Sequence, residues 1–199
     1  MDTFLTLVIA VGGIVTGIGA IWAAMLARRQ AQLTERSLAE QNERARLTLE
    51  YDLLSRLAAR TDTPQFRSKI RASAKYLLDN AFVDDDVVAL ERLNSATWEV
   101  WNIFEEVGEM LRLGVLRAVP VENRVGVWPQ TYWFVCKPSI EKLREEWQDP
   151  NLYEEFEYLC RVMDEMGRRR GVPPARVFVR KVLESDATID EEPPTTTTE

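Results

Sequence analysis

The sequence predicts an all-α protein: an N-terminal transmembrane helix that continues into a long stalk helix and a cytosolic helical bundle, followed by a disordered acidic tail. Three observations carry this prediction. Residues 3–27 contain no charged side chain, residues 20–63 contain no proline or glycine, and later apolar residues recur at helical spacing without sustained strand-type alternation. The predicted boundaries are 1–29 for the anchor, 30–60 for the stalk helix, 61–171 for the helical domain and 172–199 for the tail.

The uncharged run at the N-terminus is longer than the roughly 20 residues that a helix needs to cross a bilayer. A cleaved secretion signal would begin with positive charge, whereas Asp2 is the one charged side chain before this run. A buried soluble helix of this length would normally show a polar stripe. Arg28 and Arg29 follow the run and no basic residue precedes it. The positive-inside rule therefore places the N-terminus outside and the C-terminal domain in the cytoplasm.

Small residues form one continuous stripe along the predicted membrane helix. They are Ala10, Gly13, Gly17, Ala20, Ala24 and Ala27. Such a stripe lets two backbones approach closely in lipid, which favours self-association or docking on another membrane helix. The alternative is that glycine and alanine are simply frequent in membrane helices. The expected partners are therefore the lipid bilayer, and either a second copy of the chain or another membrane protein.

The stalk and the second helix follow without a break in helix-forming composition. Residues 28–46 are polar nearly all round, which indicates a solvated stalk or a loose coiled coil. An apolar stripe then begins at Leu47 and continues through Tyr51, Leu54 and Ala58, so the helix should enter the domain there. Thr63 and Pro64 are an N-cap and a first helical residue for the second helix.

Three further helices are predicted after residue 84. Asp84, Asp85 and Asp86 are interpreted as caps of a third helix over residues 87–114 in preference to a metal site. Its seam residues are Leu90, Leu93, Thr97, Val100, Phe104, Val107 and Leu111, and Gly114 should end it. Pro129 and Pro138 predict a kinked helix or two short ones. Asn151 should cap the next helix, and residues 175–182 fit either a short strand or a terminal helix.

With these helices placed, the chain resembles a known bacterial family. The segments WEVWNIFEEVGEMLRLGVL, TYWFVCKPSIEKLREE and YEEFEYLCRVM are similar to domain of unknown function family 4760, over roughly residues 5–168. The resemblance implies an N-terminal membrane helix and a small helical cytosolic domain. It implies no activity.

The residue types present exclude several kinds of chemistry. The chain has no histidine, which excludes Ser-His and Cys-His catalysis, histidine-bound zinc and the Glu-x-x-His di-iron pattern. Cys136 and Cys160 are far apart and are interpreted as small hydrophobic residues on helices. Glu105, Glu109 and Glu145 are candidate ligands for Mg²⁺ or Mn²⁺, the alternative being solvated helix faces. No cofactor is predicted, and the question of an enzyme stays open, leaning towards no.

Aromatic and basic residues suggest where a partner could bind. Trp101 lies about 60° from Phe104 around the third helix, so it is expected at the edge of the seam as a possible interface residue. A basic cluster precedes the acidic tail and could contact anionic lipid or be neutralised by the tail. Its members are Arg168, Arg169, Arg170, Arg176, Arg180 and Lys181. The net charge of −7 and the absence of a stacking platform argue against nucleic acid.

These observations favour a membrane-anchored cytosolic interaction or scaffold module that self-associates or serves as an accessory subunit. Two alternatives stay open at this point. One is a divalent-metal-dependent enzyme built on the helix glutamates. The other is a membrane effector of a toxin or prophage-defence type.

Overall fold

The computed structural model describes residues 2–83 and 86–188, and within residues 1–24 it describes only one side chain, that of Trp22. The chain divides into an N-terminal unit, Met1–Thr48, and a C-terminal unit, Leu49–Glu199. The described residues form seven α-helices, one 3₁₀ turn and one pair of antiparallel strands. The predicted all-α class is therefore confirmed.

Helix α1 spans Asp2–Thr61. In the N-terminal unit, the side chains of residues 25–48 are all exposed, as a solvated helix requires. Within the part of the chain that the structure describes, no helix combines the length and the hydropathy that a membrane crossing requires. Most side chains of the predicted membrane segment, residues 3–27, are among those that the structure does not describe.

The last turns of α1 belong to the C-terminal unit, and the face that packs includes Leu54 and the half-buried Ala58 of the predicted stripe but not Leu47 or Tyr51. Leu53, Leu54 and Leu57 pack against the core, whereas Tyr51 is 76% exposed. Glu50 is buried and accepts hydrogen bonds from the backbone amide (2.9 Å) and Nε (2.8 Å) of Arg117. The predicted stripe was built from apolar residues alone. It therefore did not include Glu50, a carboxylate on the buried face.

Helix α2, Pro64–Asn80, begins as predicted, and the Thr63 side chain accepts from the amide of Phe66 at 3.1 Å. Two short antiparallel strands follow, β1 (Phe82–Val83) and β2 (Asp86–Val87). Helix α3 spans Ser95–Arg112, eight residues later than predicted at its start. The predicted aspartate caps are therefore wrong for Asp86, which lies in β2, while Asp84 and Asp85 lie outside the described residues.

The physical cause of the later start of α3 is a better cap. Asn94 accepts from the amide of Thr97 at 2.8 Å and so satisfies a donor of the first turn. The seam from Thr97 to Leu111 is buried as predicted. The chain leaves the helix through Gly114, whose φ of +69° is a left-handed conformation that suits glycine.

Helices α4 (Ala118–Val125) and α5 (Trp128–Trp147) come next. α5 is a single helix that contains Pro138, so of the two predicted alternatives the pair of short helices is wrong. Helix α6 spans Glu154–Arg169. Its start is later than the predicted cap at Asn151, because Tyr153 takes a left-handed conformation (φ 58°) immediately before the helix.

The segment after Gly171 is structured as far as Thr188, so the predicted largely disordered tail over 172–199 needs correction. A 3₁₀ turn at Ala175–Val177 leads into α7, Val179–Ala187, which confirms the terminal helix and not the strand. Val179 and Leu183 are one helical turn apart and both buried, and α7 packs against α2 and α5. Residues 189–199 lie outside the described residues.

The core of the C-terminal unit is centred on α3, which packs against α2 on one side and α6 on the other. The prediction that Trp101 is partly exposed is wrong, since its side chain is fully buried. Because α3 contacts both α2 and α6, it buries more of its surface than the single seam predicted from the sequence. The Trp101 ring meets Trp98 and Tyr153 edge-on, at centroid distances of 5.5 and 5.4 Å.

Candidate functional site

The three candidate metal ligands do not come together in a metal site. Glu105 Oε2 accepts a hydrogen bond from the backbone amide of Phe156 at 2.7 Å, so this carboxylate caps the start of α6. Partial burial raises its pKa, and the hydrogen bonds from the α6 amides oppose that shift. Glu109 and Glu145 are exposed. No cluster of three acidic or cysteine side chains suited to a metal ion occurs among residues 2–83 and 86–188.

The two cysteines are buried side chains of helices, as predicted. Cys136 lies in α5 and Cys160 in α6, and both are free thiols. The thiol of Cys160 donates to the carbonyl of Pro129 at 3.1 Å. Burial raises the pKa of both thiols, which makes them poor nucleophiles.

The basic cluster is partly neutralised within the C-terminal unit. Arg168 and Arg169 pair with Glu165 at 2.7 and 2.9 Å, and Arg170 pairs with Glu122 at 2.7 Å. Arg176 is exposed and makes no ion pair with another described residue. Arg176 is therefore available to an external anion, as is the exposed Lys181.

The small-residue stripe and most of the anchor lie where side chains are not described. Ala10, Gly13, Gly17, Ala20 and Ala24 are in that part, and Ala27 is exposed. The topology determinants Arg28 and Arg29 are also exposed. Self-association through this stripe stays a prediction from the sequence.

A groove of about 560 Å³ lies between α5, α6 and the 3₁₀ turn of the C-terminal unit. Two aromatic side chains, Trp133 and Phe134, and two prolines, Pro138 and Pro174, give it an apolar lining. Its charged residues are Lys137 and Arg176, with Glu141 and Asp164 opposite in sign. The groove is thus an apolar surface edged with charge, and it is our candidate functional site.

Four polar groups, in addition to Arg176, set the electrostatics of the groove. Lys137 and Glu141 are one helical turn apart and pair at 3.6 Å, which offsets both charges. Partial burial raises the pKa of Asp164, while a hydrogen bond with the Gln130 side chain and the nearby charge of Arg168 act in the other direction. Gln130 is 8% exposed, and its Oε1 atom has no hydrogen-bond partner among the described residues.

Pro138 gives the groove a backbone feature as well as an apolar side chain. Proline has no N–H group, so it cannot donate to the carbonyl of Phe134 four residues earlier in α5. Both residues line the groove. The sequence showed the proline inside a helical pattern, which was a signal for this site. The sequence could not show that α6 and the 3₁₀ turn would lie beside the same face of α5.

The arrangement suits binding of an extended peptide better than a small polar molecule. Aromatic rings and prolines form the kind of surface on which proline-containing segments pack, because such segments are already extended and lose little entropy on binding. The Arg176 guanidinium can pair with a carboxylate through two parallel hydrogen bonds. An acidic segment that contains proline therefore fits both features.

Comparisons with known proteins place the chain in a family. The profile of the domain of unknown function DUF4760 matches residues 8–163, which is more than half of the chain. No curated protein and no solved structure was found to match. The matched range includes most of α1, all of α2 to α5 and most of α6; it covers the groove residues of α5 but ends one residue before Asp164. The chain therefore belongs to the DUF4760 family.

Proposed function

We propose that the protein is a single-pass membrane-anchored interaction module of the bacterial inner membrane, with its C-terminal unit in the cytoplasm. The anchor part rests on the sequence: the uncharged residues 3–27, followed at once by Arg28 and Arg29. The interaction part rests on one observation, the groove lined by Trp133, Phe134 and two prolines.

The residues that line the groove indicate the chemistry of the partner that it binds. Its rings and prolines match an extended apolar segment, and the exposed positive charge of Arg176 matches a carboxylate on that segment. The occupant that we propose is an acidic, proline-containing stretch of a protein at the cytoplasmic face of the same membrane. The module would hold that stretch close to the bilayer, as a scaffold or accessory subunit does.

Photocrosslinking in intact cells tests the interaction. A benzoylphenylalanine introduced at Phe134 reports on the groove, and one introduced at Leu113, which is 69% exposed outside the groove, is the matched control. We expect the Phe134 probe to label an acidic, proline-containing peptide at about tenfold higher yield than the Leu113 probe, as a specific site requires. Equal labelling from both positions would contradict an interaction at the groove.

Membrane attachment is tested separately. Carbonate-washed membranes should retain the full-length chain and release a variant that begins at Gln30, because that variant lacks the uncharged run. Release of the full-length chain would contradict the anchor. It would leave the interaction at the groove as a separate question.

A further inference from the structure

The chain itself contains a segment with the chemistry that the groove fits. Residues 189–199 read IDEEPPTTTTE, in which Asp190, Glu191 and Glu192 precede Pro193 and Pro194. We propose that this C-terminal segment binds in the groove of its own chain and competes there with the partner. The inference rests on the proposed function only in that the groove is a peptide-binding site.

The start of the segment lies near one end of the groove. The indole Nε1 of Trp128 donates to Asp186 Oδ1 at 3.2 Å, which ties the last turn of α7 to the first turn of α5. Gln130, two residues after Trp128, lines the groove, and the lining along α5 continues to Glu141. The segment therefore departs, just after Thr188, near the N-terminal end of α5. Because Trp128 and Gln130 point about 200° apart around the helix, the segment must pass around that end to reach the groove.

The segment is long enough to follow the groove. Eleven extended residues reach about 36 Å at roughly 3.3 Å each. The groove runs along α5 from Gln130 to Glu141, about 17 Å at roughly 1.5 Å per helical residue. The tether leaves enough slack for the chain to turn at residue 188 and lie along α5.

Charge complementarity favours an acidic occupant at the 3₁₀ turn. Glu141 is paired with Lys137, which leaves Asp164 on α6 and Arg176 on the 3₁₀ turn as opposite charges, so the attraction for carboxylates is confined to the turn. Arg176 has no ion pair among the described residues, and the exposed Lys181 lies on the following helix. The three carboxylates of the segment can pair with this positive end while its prolines pack on Trp133 and Phe134.

Because the segment is tethered to the chain, even a weak interaction gives a substantial occupancy of the groove. A short flexible linker holds a segment at an effective concentration in the millimolar range around its site. A separate partner must then exceed that local concentration or bind more tightly. The segment would thus act as a built-in competitor that keeps the groove filled until a suitable partner arrives.

Cysteine crosslinking in the full-length chain, purified in detergent micelles, tests the inference. One variant carries Pro174→Cys, in the groove, together with Thr195→Cys. The matched control carries Ala72→Cys with Thr195→Cys. Ala72 is exposed on α2, which packs against α7, so it is also within reach of the segment. The native Cys136 and Cys160 are buried and react little with a bismaleimide reagent.

We expect the groove pair to crosslink within one chain roughly tenfold faster than the control pair, because binding holds its two thiols together. Neutralising the segment with Asp190→Asn, Glu191→Gln and Glu192→Gln should bring the groove pair down to the control rate. Equal rates for the two pairs would overturn the inference, as would crosslinks that form only between isotope-labelled and unlabelled chains. Thermal unfolding of each variant checks that it is folded.

The outcomes separate this inference from the proposed function. If the two cysteine pairs react equally while the Phe134 photoprobe labels another protein's acidic peptide, the segment does not occupy the groove but the interaction module stands. If the photoprobe labels residues 189–199 of its own chain, the inference is supported directly. If it labels neither, both proposals fail together.

Discussion

Replacing Gly108 with alanine should destabilise the C-terminal unit by forcing α3 away from α6. An alanine Cβ at this position would lie 2.0 Å from the backbone oxygen and 2.5 Å from the carbonyl carbon of Glu155. Ordinary contact begins near 3.4 Å, and the obstacle is backbone that no side-chain rotation can move aside. The two helices would therefore have to separate by about 1.4 Å at their closest approach.

The size of the effect follows from two opposing terms. Overpacking a well-packed core typically costs 1–3 kcal/mol and occasionally more, and a clash between two backbones lies at about 3 kcal/mol or above. Alanine in place of glycine inside a helix recovers about 1 kcal/mol of helix propensity. The net loss should be at least about 2 kcal/mol, or roughly 4–8 °C in the melting temperature of a domain of this size.

Thermal unfolding followed by circular dichroism measures this loss, and Gly167→Ala in α6 is the matched control. A Cβ at Gly167 would meet its nearest neighbour, the Val172 Cβ, at 3.4 Å, an ordinary contact. The control should therefore be neutral or slightly stabilising, by up to about 1 kcal/mol. A Gly108→Ala variant that melts at or above the wild-type temperature would refute the close approach of α3 and α6.

Three further substitutions test named contacts. Burial raises the pKa of Asp186 from 3.8 to about 6, so the folded state binds this proton more tightly than the unfolded state and loses stability as the pH rises between those values. Asp186→Asn should therefore raise the free energy of unfolding at pH 7 by up to about 3 kcal/mol, and the gain should vanish near pH 3 in a pH series of urea melts. Glu50→Ala removes the acceptor of two Arg117 donors and should cost about 2 kcal/mol in urea unfolding, whereas an unchanged midpoint would contradict the buried contact. Glu105→Ala leaves the Phe156 amide without its carboxylate and should cost about 1–2 kcal/mol. Mg²⁺ should not shift the wild-type melting temperature, and a clear Mg²⁺-dependent rise would restore the metal hypothesis.

Local signals in the sequence were enough to predict much of the helical framework. The Thr63 side chain accepts a hydrogen bond from a backbone amide in the first turn of α2, and Pro64 is the first residue of that helix. Gly114 provides the left-handed residue after α3. Such signals depend on residues within one turn of each other, so the sequence displays them directly. Asn94 is also a local cap, and it was missed because three aspartates about ten residues earlier offered an apparent start.

The parts that could not be predicted depend on residues far apart in the chain. The start of α6 follows a left-handed Tyr153 and a carboxylate from α3, neither of which a local cap rule describes. Trp101 is buried because α3 has two neighbours, and a helical wheel of one helix contains no information on its neighbours. The groove combines α5, α6 and the 3₁₀ turn. The sequence indicated single residues of it, Pro138 inside α5 and Arg176 in the basic cluster, but not that they lie together.

The first turn of α6 is fastened to α3 at several points. Glu105 accepts from the Phe156 amide, the Tyr153 hydroxyl donates to Asn102 at 2.9 Å, and Arg112 pairs with Glu155 at 2.6 Å. A helix end ordinarily frays independently of the rest of a protein, and its amides exchange hydrogen with water quickly. Here the opening of that end requires the release of α3. The amide hydrogen of Phe156 should therefore exchange as slowly as those in the centre of α3, which makes the two helices a single cooperative unit of unfolding.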